Sequence, residues 1–147
     1  MKTALLVIDA QRIYTDPDSN MYCADAKGTI RRINDLIGRF QTHKEPVVFI
    51  RHIHKRDGSD LGRLFDYTGD PADDFNFKEG STEVEYNSSL IIPKSSVEIV
   101  KSRYSAFAGT ALEETLRRQN VAGVAICGFM TNFCCEATAR AAHDRDF

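Results

Sequence analysis

Four short apolar runs along the chain each predict a buried strand. They cover residues 3–9, 46–52, 97–101 and 121–127. Each run is rich in valine, isoleucine or leucine, and it is apolar at both sets of alternate positions rather than at one. Parallel strands covered by helices on both faces show this pattern, because neither side of the strand meets water. The four runs therefore predict a parallel sheet that is buried on both faces.

The segments between these runs predict helices. The predicted helices cover residues 25–43, residues 109–120 and a last stretch that begins at about Thr131. In the first helix the isoleucines fall on one stripe and the charged side chains fall off it. In the second, Thr110 is the expected N-cap. Strands that alternate with helices predict an α/β fold with a doubly wound, mostly parallel sheet, in a single domain over residues 1–147.

Residues 54–94 interrupt this alternation. They contain several glycines and prolines, many acidic residues and scattered aromatic ones, and they predict a long excursion with one short helix around Asp60–Asp66. Excursions of this length within a compact domain usually have a function. This one is expected to supply a lid or a contact between subunits.

The composition is that of an ordinary globular protein. The chain has 147 residues, 42% of them hydrophobic, and a formal net charge of -2. This charge gives no electrostatic reason to expect nucleic acid or an anionic membrane as a partner. No apolar run approaches the roughly 20 residues of a membrane helix, and the N-terminus lacks a secretory cleavage pattern. A cytoplasmic location is therefore expected.

The four cysteines predict free thiols. They are Cys23, Cys127, Cys134 and Cys135. Their spacing is neither a disulfide framework nor a zinc-binding pair of the Cys-x-x-Cys kind. Without a secretion signal, each thiol serves either packing or chemistry.

Three chemically active side chains follow the ends of predicted strands. Asp9 follows the first run, Lys101 ends the third, and Cys134 comes after a short turn that follows the fourth. Singly, an aspartate that caps a turn, a solvated lysine and a packed cysteine are the ordinary explanations. Parallel sheets, however, bind ligands beyond the carboxyl ends of their strands. The three residues together therefore favour a catalytic site.

The geometry of the last helix separates the two adjacent cysteines. With Thr131 at the N-cap, Cys134 is the third helical residue, and the positive end of the helix dipole is expected to lower the pKa of its thiol. Cys134 lies nearly opposite the polar strip of this helix and so faces the sheet. Cys135 lies about a quarter-turn away and is expected to pack. Cys134 is therefore the predicted nucleophile.

These roles imply acyl transfer. Asp9 can take the thiol proton as general base, and Lys101 can hold the carboxylate and favour the thiolate. The turn before the nucleophile can present the backbone N–H groups of Met130 and Cys134 to an oxyanion. The expected sequence is thioester formation, departure of an amine or ammonia, and hydrolysis.

The segments LLVIDAQ, KSRYSAF and CGFMTNFCCEATARAA resemble the isochorismatase-like cysteine hydrolases, a family that includes nicotinamidases, N-carbamoylsarcosine amidases and isochorismatases. The resemblance spans nearly the whole chain. It implies a three-layer α/β/α fold, an Asp9–Lys101–Cys134 triad and a cis peptide bond at Phe129–Met130. It also implies a small amide or ureido substrate, no cofactor, and a homo-oligomer.

The chain departs from the family pattern in two places. Nicotinamidases have an Asp-x-His metal cluster after the second strand, where this chain has His52 and His54. Without a matching carboxylate nearby, no bound metal is expected, and the two histidines are assigned to substrate contact or to the surface. The chain also stops before the last strand and helix of the family, which predicts a C-terminally incomplete domain.

Several functions stay open. Because Cys134 is present, cleavage of a C–N bond is favoured over the vinyl ether hydrolysis of isochorismatase itself, which stays the alternative. A thiol redox sensor or small-molecule-binding domain that uses Cys134 and Cys135 as a vicinal pair is a third hypothesis, and a structural protein with a degenerate site is a fourth.

Four side chains are candidates for the lining of the substrate pocket. They are Gln11, Tyr104, Phe107 and Phe129. Aromatic rings around a small planar amide suit such a pocket. For Phe107, filling of the core is an equally good explanation.

Overall fold

The computed structural model describes residues 1–62, 75–94 and 96–147. In this part of the chain, four strands form one sheet. The strands are β1 (Lys2–Ile8), β2 (Val47–His52), β3 (Val97–Lys101) and β4 (Val121–Gly128). Their bounds lie within one residue of the four apolar runs, so the predicted strands are confirmed.

The four strands are all parallel and lie in the order β3-β2-β1-β4. Strand β1 is central, and its Leu5 pairs with Val47 on one side and with Ala125 on the other. Because the strands are parallel, their carboxyl ends lie along one edge of the sheet. The predicted α/β class with a parallel sheet is confirmed.

Four helices accompany the sheet in the described ranges. They are α1 (Arg12–Thr15), α2 (Ala26–Thr42), α3 (Leu112–Arg118) and α4 (Glu136–His143). Helix α2 agrees with the prediction, whereas α1 was not predicted. None of the helices in the described ranges is long and apolar enough to cross a membrane.

The third helix is shorter than predicted at its start. Residues 109–111 precede α3 as turns, and Gly109 has a φ of 69°, which lies outside the helical region. Thr110 is not the N-cap residue, a position that Ala111 holds. Its hydroxyl nevertheless accepts a hydrogen bond from the N–H of Leu112 at 3.2 Å. The threonine therefore stabilises the start of the helix from one residue further out than expected.

The last helix also begins differently from the prediction. Residues Thr131–Cys135 form a π-helical turn, and α4 follows it directly. Met130 holds the N-cap position, and Thr131 is the first residue of the turn. The prediction of Thr131 as N-cap is therefore wrong, because periodicity alone cannot distinguish a π turn from the first turn of an α-helix.

Apolar side chains on the two faces of β1 enter two separate cores. Leu5 and Val7 pack with the isoleucine stripe of α2. Leu6 and Ile8 pack on the other face with Leu112 of α3 and with residues of α4. This arrangement explains why the strands are apolar at both alternate positions.

Two residues in the described parts of the excursion pair with residues that lie just beyond the ends of β1 and β2. Gln11 forms an isolated bridge with Tyr86, and His54 forms one with Lys78. A single 3₁₀ turn lies at Thr82–Val84. Of the short helix predicted around Asp60–Asp66, residues 63–66 lie outside the described residues, and residues 60–62 are not helical.

Candidate active site

The end of β1 brings a buried carboxylate next to a buried ammonium. Asp9 follows β1 directly, with a φ of 46° in the left-handed region, and it is fully buried. Its Oδ2 lies 2.9 Å from Nζ of Lys101, the last residue of β3, which is also buried. Because charges in the interior need a partner, each of these residues makes the burial of the other possible.

A glycine allows the turn that follows β4. Gly128 has a φ of 129°, and a Cβ atom there would lie 1.9 Å from the carbonyl oxygen of Ile8. Only glycine tolerates this close approach of two backbones. The next peptide bond, Phe129–Met130, is cis. The N–H of Phe129 donates to Ile8 O at 2.9 Å, and this bond holds the turn against the end of β1.

The π-helical turn then brings the thiol to the other two groups. The carbonyl oxygen of Met130 accepts hydrogen bonds from Phe133 and from Cys135, each at 3.2 Å, and not from Cys134 between them. The side chain of Cys134 is buried, and its Sγ lies 3.3 Å from Nζ of Lys101. Cys135 is half-buried and packs against the apolar core. The structure thus unites Asp9, Lys101 and Cys134.

Burial sets the protonation of this group. Burial, followed by the negative charge of Asp9, raises the pKa of the Cys134 thiol to about 12. The prediction of a lowered pKa is therefore wrong, because burial and the charge of Asp9 raise the pKa by more than Lys101 lowers it. Burial also raises the pKa of Asp9, against the opposing charge of Lys101. At rest Cys134 is therefore a thiol, beside the pair formed by Asp9 and Lys101.

A cavity of about 90 Å³ opens onto Cys134. Its lining is mainly aromatic and apolar. The lining residues are Tyr14, Met21, His52, Asn76, Phe77, Tyr104, Met130, Phe133 and Cys134. An aromatic wall of this kind suits a small, flat molecule, which would lie with its reacting carbon near the sulfur.

Of the four predicted lining residues, the structure brings only Tyr104 to this cavity. Its ring lies 5.4 Å from that of Phe133, and both rings are partly exposed. Phe129 is buried in the core and stacks on Tyr14 at 6.0 Å. Phe107 lies in the other core, with its ring 5.9 Å from that of Phe147. Of the two explanations for Phe107, the structure supports the one in which it fills the core.

Gln11 is buried, but its side chain is committed to the backbone. Its amide group donates to His52 O and to Val84 O, each at 3.0 Å. Its Oε1 accepts from the N–H of His52 at 2.8 Å. Gln11 therefore fixes the end of β2 and part of the excursion relative to β1, and all these bonds are within the protein.

The two histidines are buried, so their assignment to the surface is wrong. His52 lines the cavity, its ring stacks on Phe77 at 4.4 Å, and its Nε2 lies 3.1 Å from Nε2 of His54. The Nδ1 of His54 lies 3.4 Å from Oδ1 of Asp60. Sequence reasoning found no carboxylate for this pair, because Asp60 reaches it only through the fold of the excursion.

Sequence reasoning also missed most of the cavity wall. Tyr14 belongs to α1, whose four residues are too few to show a helical period. Phe77 and Asn76 come from the excursion, which has no regular pattern. The one available signal was the aromatic content of these segments near the predicted catalytic residues.

The donor set beside the cavity does not fit a resident metal ion. Asp9, His52 and Cys134 each offer a ligand atom, and these atoms lie within 4.8 Å of one another. Two of the three donors, however, already contact the ammonium of Lys101, and a second cation there would be repelled. Nε2 of His52 is engaged with His54. We therefore derive no catalytic step through a metal.

The sequence matches one family over nearly its whole length. Residues 3–147 match the family described as the isochorismatase domain. A protein named Nicotinamidase 3, from Arabidopsis thaliana, is 36% identical over 148 residues, which cover 98% of this chain and 67% of the relative. The chain therefore belongs to the isochorismatase family of hydrolases.

Solved structures show the same fold. A cysteine hydrolase from Pseudomonas syringae superposes with a TM-score of 0.90 at 30% identity, over 99% of this chain and 68% of that one. A pyrazinamidase from Pyrococcus horikoshii, in complex with zinc, superposes with a TM-score of 0.84 at 27% identity, over 100% and 81% of the two chains. The described fold is isochorismatase-like.

Proposed function

We propose that this chain is a cysteine hydrolase that cleaves the C–N bond of a small, planar amide. The observation that carries the proposal is the contact of Lys101 with both Asp9, at 2.9 Å, and Cys134, at 3.3 Å, in a buried site beside the cavity. This arrangement supplies a nucleophile, a base and a fixed cation. The cysteine hydrolase and the two amidases named above support it as relatives.

The proposed first step is acylation of the enzyme. Asp9 takes the proton of the Cys134 thiol as the sulfur attacks the carbonyl carbon, and a C–S bond forms. The carbonyl oxygen becomes an oxyanion. When the C–N bond breaks, the proton on Asp9 passes to the nitrogen, and ammonia or an amine leaves. Lys101 contacts both groups and so compensates the negative charge that moves between carboxylate and sulfur.

The second step is hydrolysis of the thioester. Asp9 is again ionised, so it can take a proton from a water molecule that attacks the same carbon. The C–S bond breaks, the acid product leaves, and the proton on Asp9 returns to the sulfur. The high pKa of Cys134 makes the thiol the stable resting form, so Asp9 is needed in each turnover.

Two backbone N–H groups are proposed to stabilise the oxyanion. Within the described ranges, no acceptor takes the N–H of Met130, and Met130 O bonds to the N–H groups of Phe133 and Cys135 rather than to that of Cys134. Both groups lie next to the nucleophile in the chain. Donors fixed in this way stabilise the charge that develops on the substrate oxygen.

The cavity favours a flat substrate. Its wall carries the rings of four aromatic residues, and its volume of about 90 Å³ suits a single small ring or a compact ureide. Nicotinamidase and pyrazinamidase, the names of two relatives, denote enzymes of aromatic carboxamides. We therefore place planar carboxamides first and ureido compounds second.

Ammonia release from a panel of amides and ureides tests the proposal. The panel includes nicotinamide, pyrazinamide, acetamide and biuret, and each is offered to the native chain, to Cys134→Ala and to Cys135→Ala. We expect at least one compound to be hydrolysed by the native chain and by Cys135→Ala but not by Cys134→Ala. An inactive Cys135→Ala beside an active Cys134→Ala would refute the choice of nucleophile.

Two other outcomes identify the alternatives. Hydrolysis of a vinyl ether such as isochorismate, without any ammonia release from the panel, would favour ether hydrolysis. Joint loss of the Cys134 and Cys135 thiols after mild oxidation, without hydrolysis of any compound, would favour a thiol sensor.

A further inference from the structure

The side chain of Tyr14 is held in one direction by its neighbours. Tyr14 belongs to α1, and only 3% of its surface is exposed. Its ring stacks on Phe129, with ring centres 6.0 Å apart and planes at 9°, and it lies against Phe77 at 5.8 Å. Its backbone carbonyl accepts a hydrogen bond from the N–H of Cys23 at 2.9 Å. Packing on both sides therefore fixes where the hydroxyl group points.

This hydroxyl has no hydrogen-bond partner in the described part of the chain. The hydroxyl of Tyr86 is also without a partner, and it is fully enclosed by protein. The oxygen of Tyr14 is not one of the enclosed atoms, so it keeps accessible surface. Because Tyr14 lines the cavity beside Cys134 and is otherwise buried, that surface faces the cavity.

The cavity offers this hydroxyl little to bond with. Its wall is mainly aromatic and apolar, and the side-chain amide of Asn76 donates to Sδ of Met21 at 3.4 Å. A buried hydroxyl that lacks a partner costs free energy. A phenylalanine at position 14 would pack against the same two rings without this cost. The hydroxyl is therefore best explained by a partner on the molecule that enters the cavity.

The surroundings of the hydroxyl favour its role as a donor. Burial, followed by the negative charges that Cys134 and Asp9 can carry, raises the pKa of Tyr14 well above its ordinary value. The group therefore keeps its proton throughout the working range of pH. A phenolic O–H that keeps its proton and has no acceptor in the protein can offer that proton to a ligand.

The reacting carbonyl group is not the expected acceptor. Its oxygen already has two proposed donors, the backbone N–H groups of Met130 and Cys134. Tyr14 belongs to another element, which follows β1 rather than β4. A third donor in the same small cavity therefore suits a second acceptor atom, in the part of the substrate that is not cleaved.

We propose that the Tyr14 hydroxyl donates a hydrogen bond to a ring nitrogen of the substrate, which is then a carboxamide of a nitrogen-containing aromatic ring. This inference rests on the proposed amide hydrolysis and names the class of its substrate. Tyr14 transfers no proton in the reaction. It is a specificity-determining residue that orients the flat ring while the amide carbon lies at the sulfur of Cys134.

The proposal predicts selectivity between molecules of the same shape. Benzamide and the three pyridine carboxamides (picolinamide, nicotinamide and isonicotinamide) differ only in the replacement of one ring C–H by nitrogen. Benzamide leaves the hydroxyl unpaired, whereas a pyridine nitrogen at the right position satisfies it. Sites with a buried polar group discriminate against analogues that leave that group unpaired. The three isomers also show which ring position faces Tyr14.

Two matched substitutions isolate the hydroxyl. Tyr14→Phe removes it and keeps the ring that packs on Phe129 and Phe77. Tyr86→Phe also removes a hydroxyl without a partner, but at a tyrosine outside the cavity, and it is the control. Binding of the four amides is measured by isothermal titration calorimetry with Cys134→Ala as the background, so that no amide is consumed. The kcat/KM values are measured on chains that keep Cys134.

We expect at least one pyridine carboxamide to bind more tightly than benzamide to the chain that has Tyr14. Tyr14→Phe should reduce this preference by about 3- to 10-fold, the effect of one neutral hydrogen bond, in binding and in kcat/KM alike. Tyr86→Phe should keep the preference. No preference in the chain that has Tyr14, or an equal loss on all four amides in Tyr14→Phe, would overturn the proposal, since the hydroxyl would then not recognise the ring nitrogen.

The stability of the variant gives a test without any ligand. Because the hydroxyl bonds to nothing in the described ranges, Tyr14→Phe should have a Tm equal to or above that of the native chain. A lower Tm would mean that the hydroxyl serves the fold, and it would overturn the proposal. A binding preference that depends on Tyr14, without hydrolysis of any amide, would instead refute the proposed function and leave the recognition of the ring nitrogen supported.

Discussion

Removal of the Asp9 carboxylate should make the Cys134 thiol more reactive toward a small alkylating agent and, if the proposed mechanism holds, abolish amide turnover. In the native chain, burial and the negative charge of Asp9 together raise the pKa of Cys134. Asp9→Asn removes the second cause and keeps the contact of Lys101 with the sulfur, at 3.3 Å, which favours the thiolate. The thiolate of Cys134 should therefore form at a lower pH in the variant.

The size of the effect follows from the geometry. The carboxylate and the sulfur lie within 4.8 Å of each other. Two unit charges at that separation interact by roughly 3 kcal/mol at an effective dielectric constant of about 20, or about two pKa units. The thiolate population should then rise about 100-fold, and the weaker nucleophilicity of a less basic thiolate reduces the net gain to about tenfold.

The assay is alkylation by iodoacetamide at neutral pH, followed at Cys134 by peptide mass spectrometry because the chain has other thiols. Asp35→Asn is the control, since it removes the same charge from an exposed position on α2. Amide turnover, measured in parallel, should fall by about 10²- to 10⁴-fold in Asp9→Asn, because the general base is lost.

Equal or slower alkylation in a folded Asp9→Asn variant would refute this electrostatic account. It would mean that the carboxylate keeps the thiol reactive in the resting enzyme, as in a preformed ion pair. A thermal denaturation curve of each variant establishes that the folded states are being compared.

Three further outcomes follow from the structure. Burial raises the pKa of Asp9 above 3.8, the ordinary value for an aspartate. Because the proposed mechanism needs the ionised carboxylate, kcat/KM should fall as the pH drops through this raised pKa, at a pH above 3.8. A pH profile of kcat/KM checks this. Gly128→Ala should prevent stable folding, whereas Gly38→Ala, in open space on α2, should raise the free energy of unfolding by about 0.5–1 kcal/mol, as measured by urea denaturation. Treatment with a metal chelator should leave amide turnover unchanged, because Lys101 already holds the donors beside His52; a loss that zinc restores would contradict this reasoning.

The clustering of Asp9, Lys101 and Cys134 could be predicted from the sequence because their placement depends on a local rule. Asp9 and Lys101 come at the ends of strands that apolar runs define, and parallel strands end along one edge of a sheet. The choice of Cys134 over Cys135 needed only the geometry of one helix. In the structure Cys134 is buried beside Lys101, although the turn that carries it is π-helical.

The protonation of the site and the wall of the cavity could not be predicted in this way. The pKa of Cys134 depends on how much water the surrounding segments exclude, and these lie far apart in the chain. Asp60 meets His54 through an excursion without any periodic pattern, so no spacing rule indicates the contact. Gln11 was predicted to line the pocket because it is polar and close to Asp9 in the chain. The sequence does not indicate that its side-chain amide will instead form hydrogen bonds with the backbone of His52 and Val84.

The order of strands in the sheet also bears on how the protein is made. Strand β1 is synthesised before β4, and its full length pairs with that strand, which comes more than a hundred residues later in the chain. Pairing between such distant segments is slow, since the chain must close a large loop before the contacts stabilise it. A nascent chain therefore carries Asp9 long before it carries Cys134. The cluster of Asp9, Lys101 and Cys134 forms only when β4 has joined β1, so a partly synthesised chain lacks it.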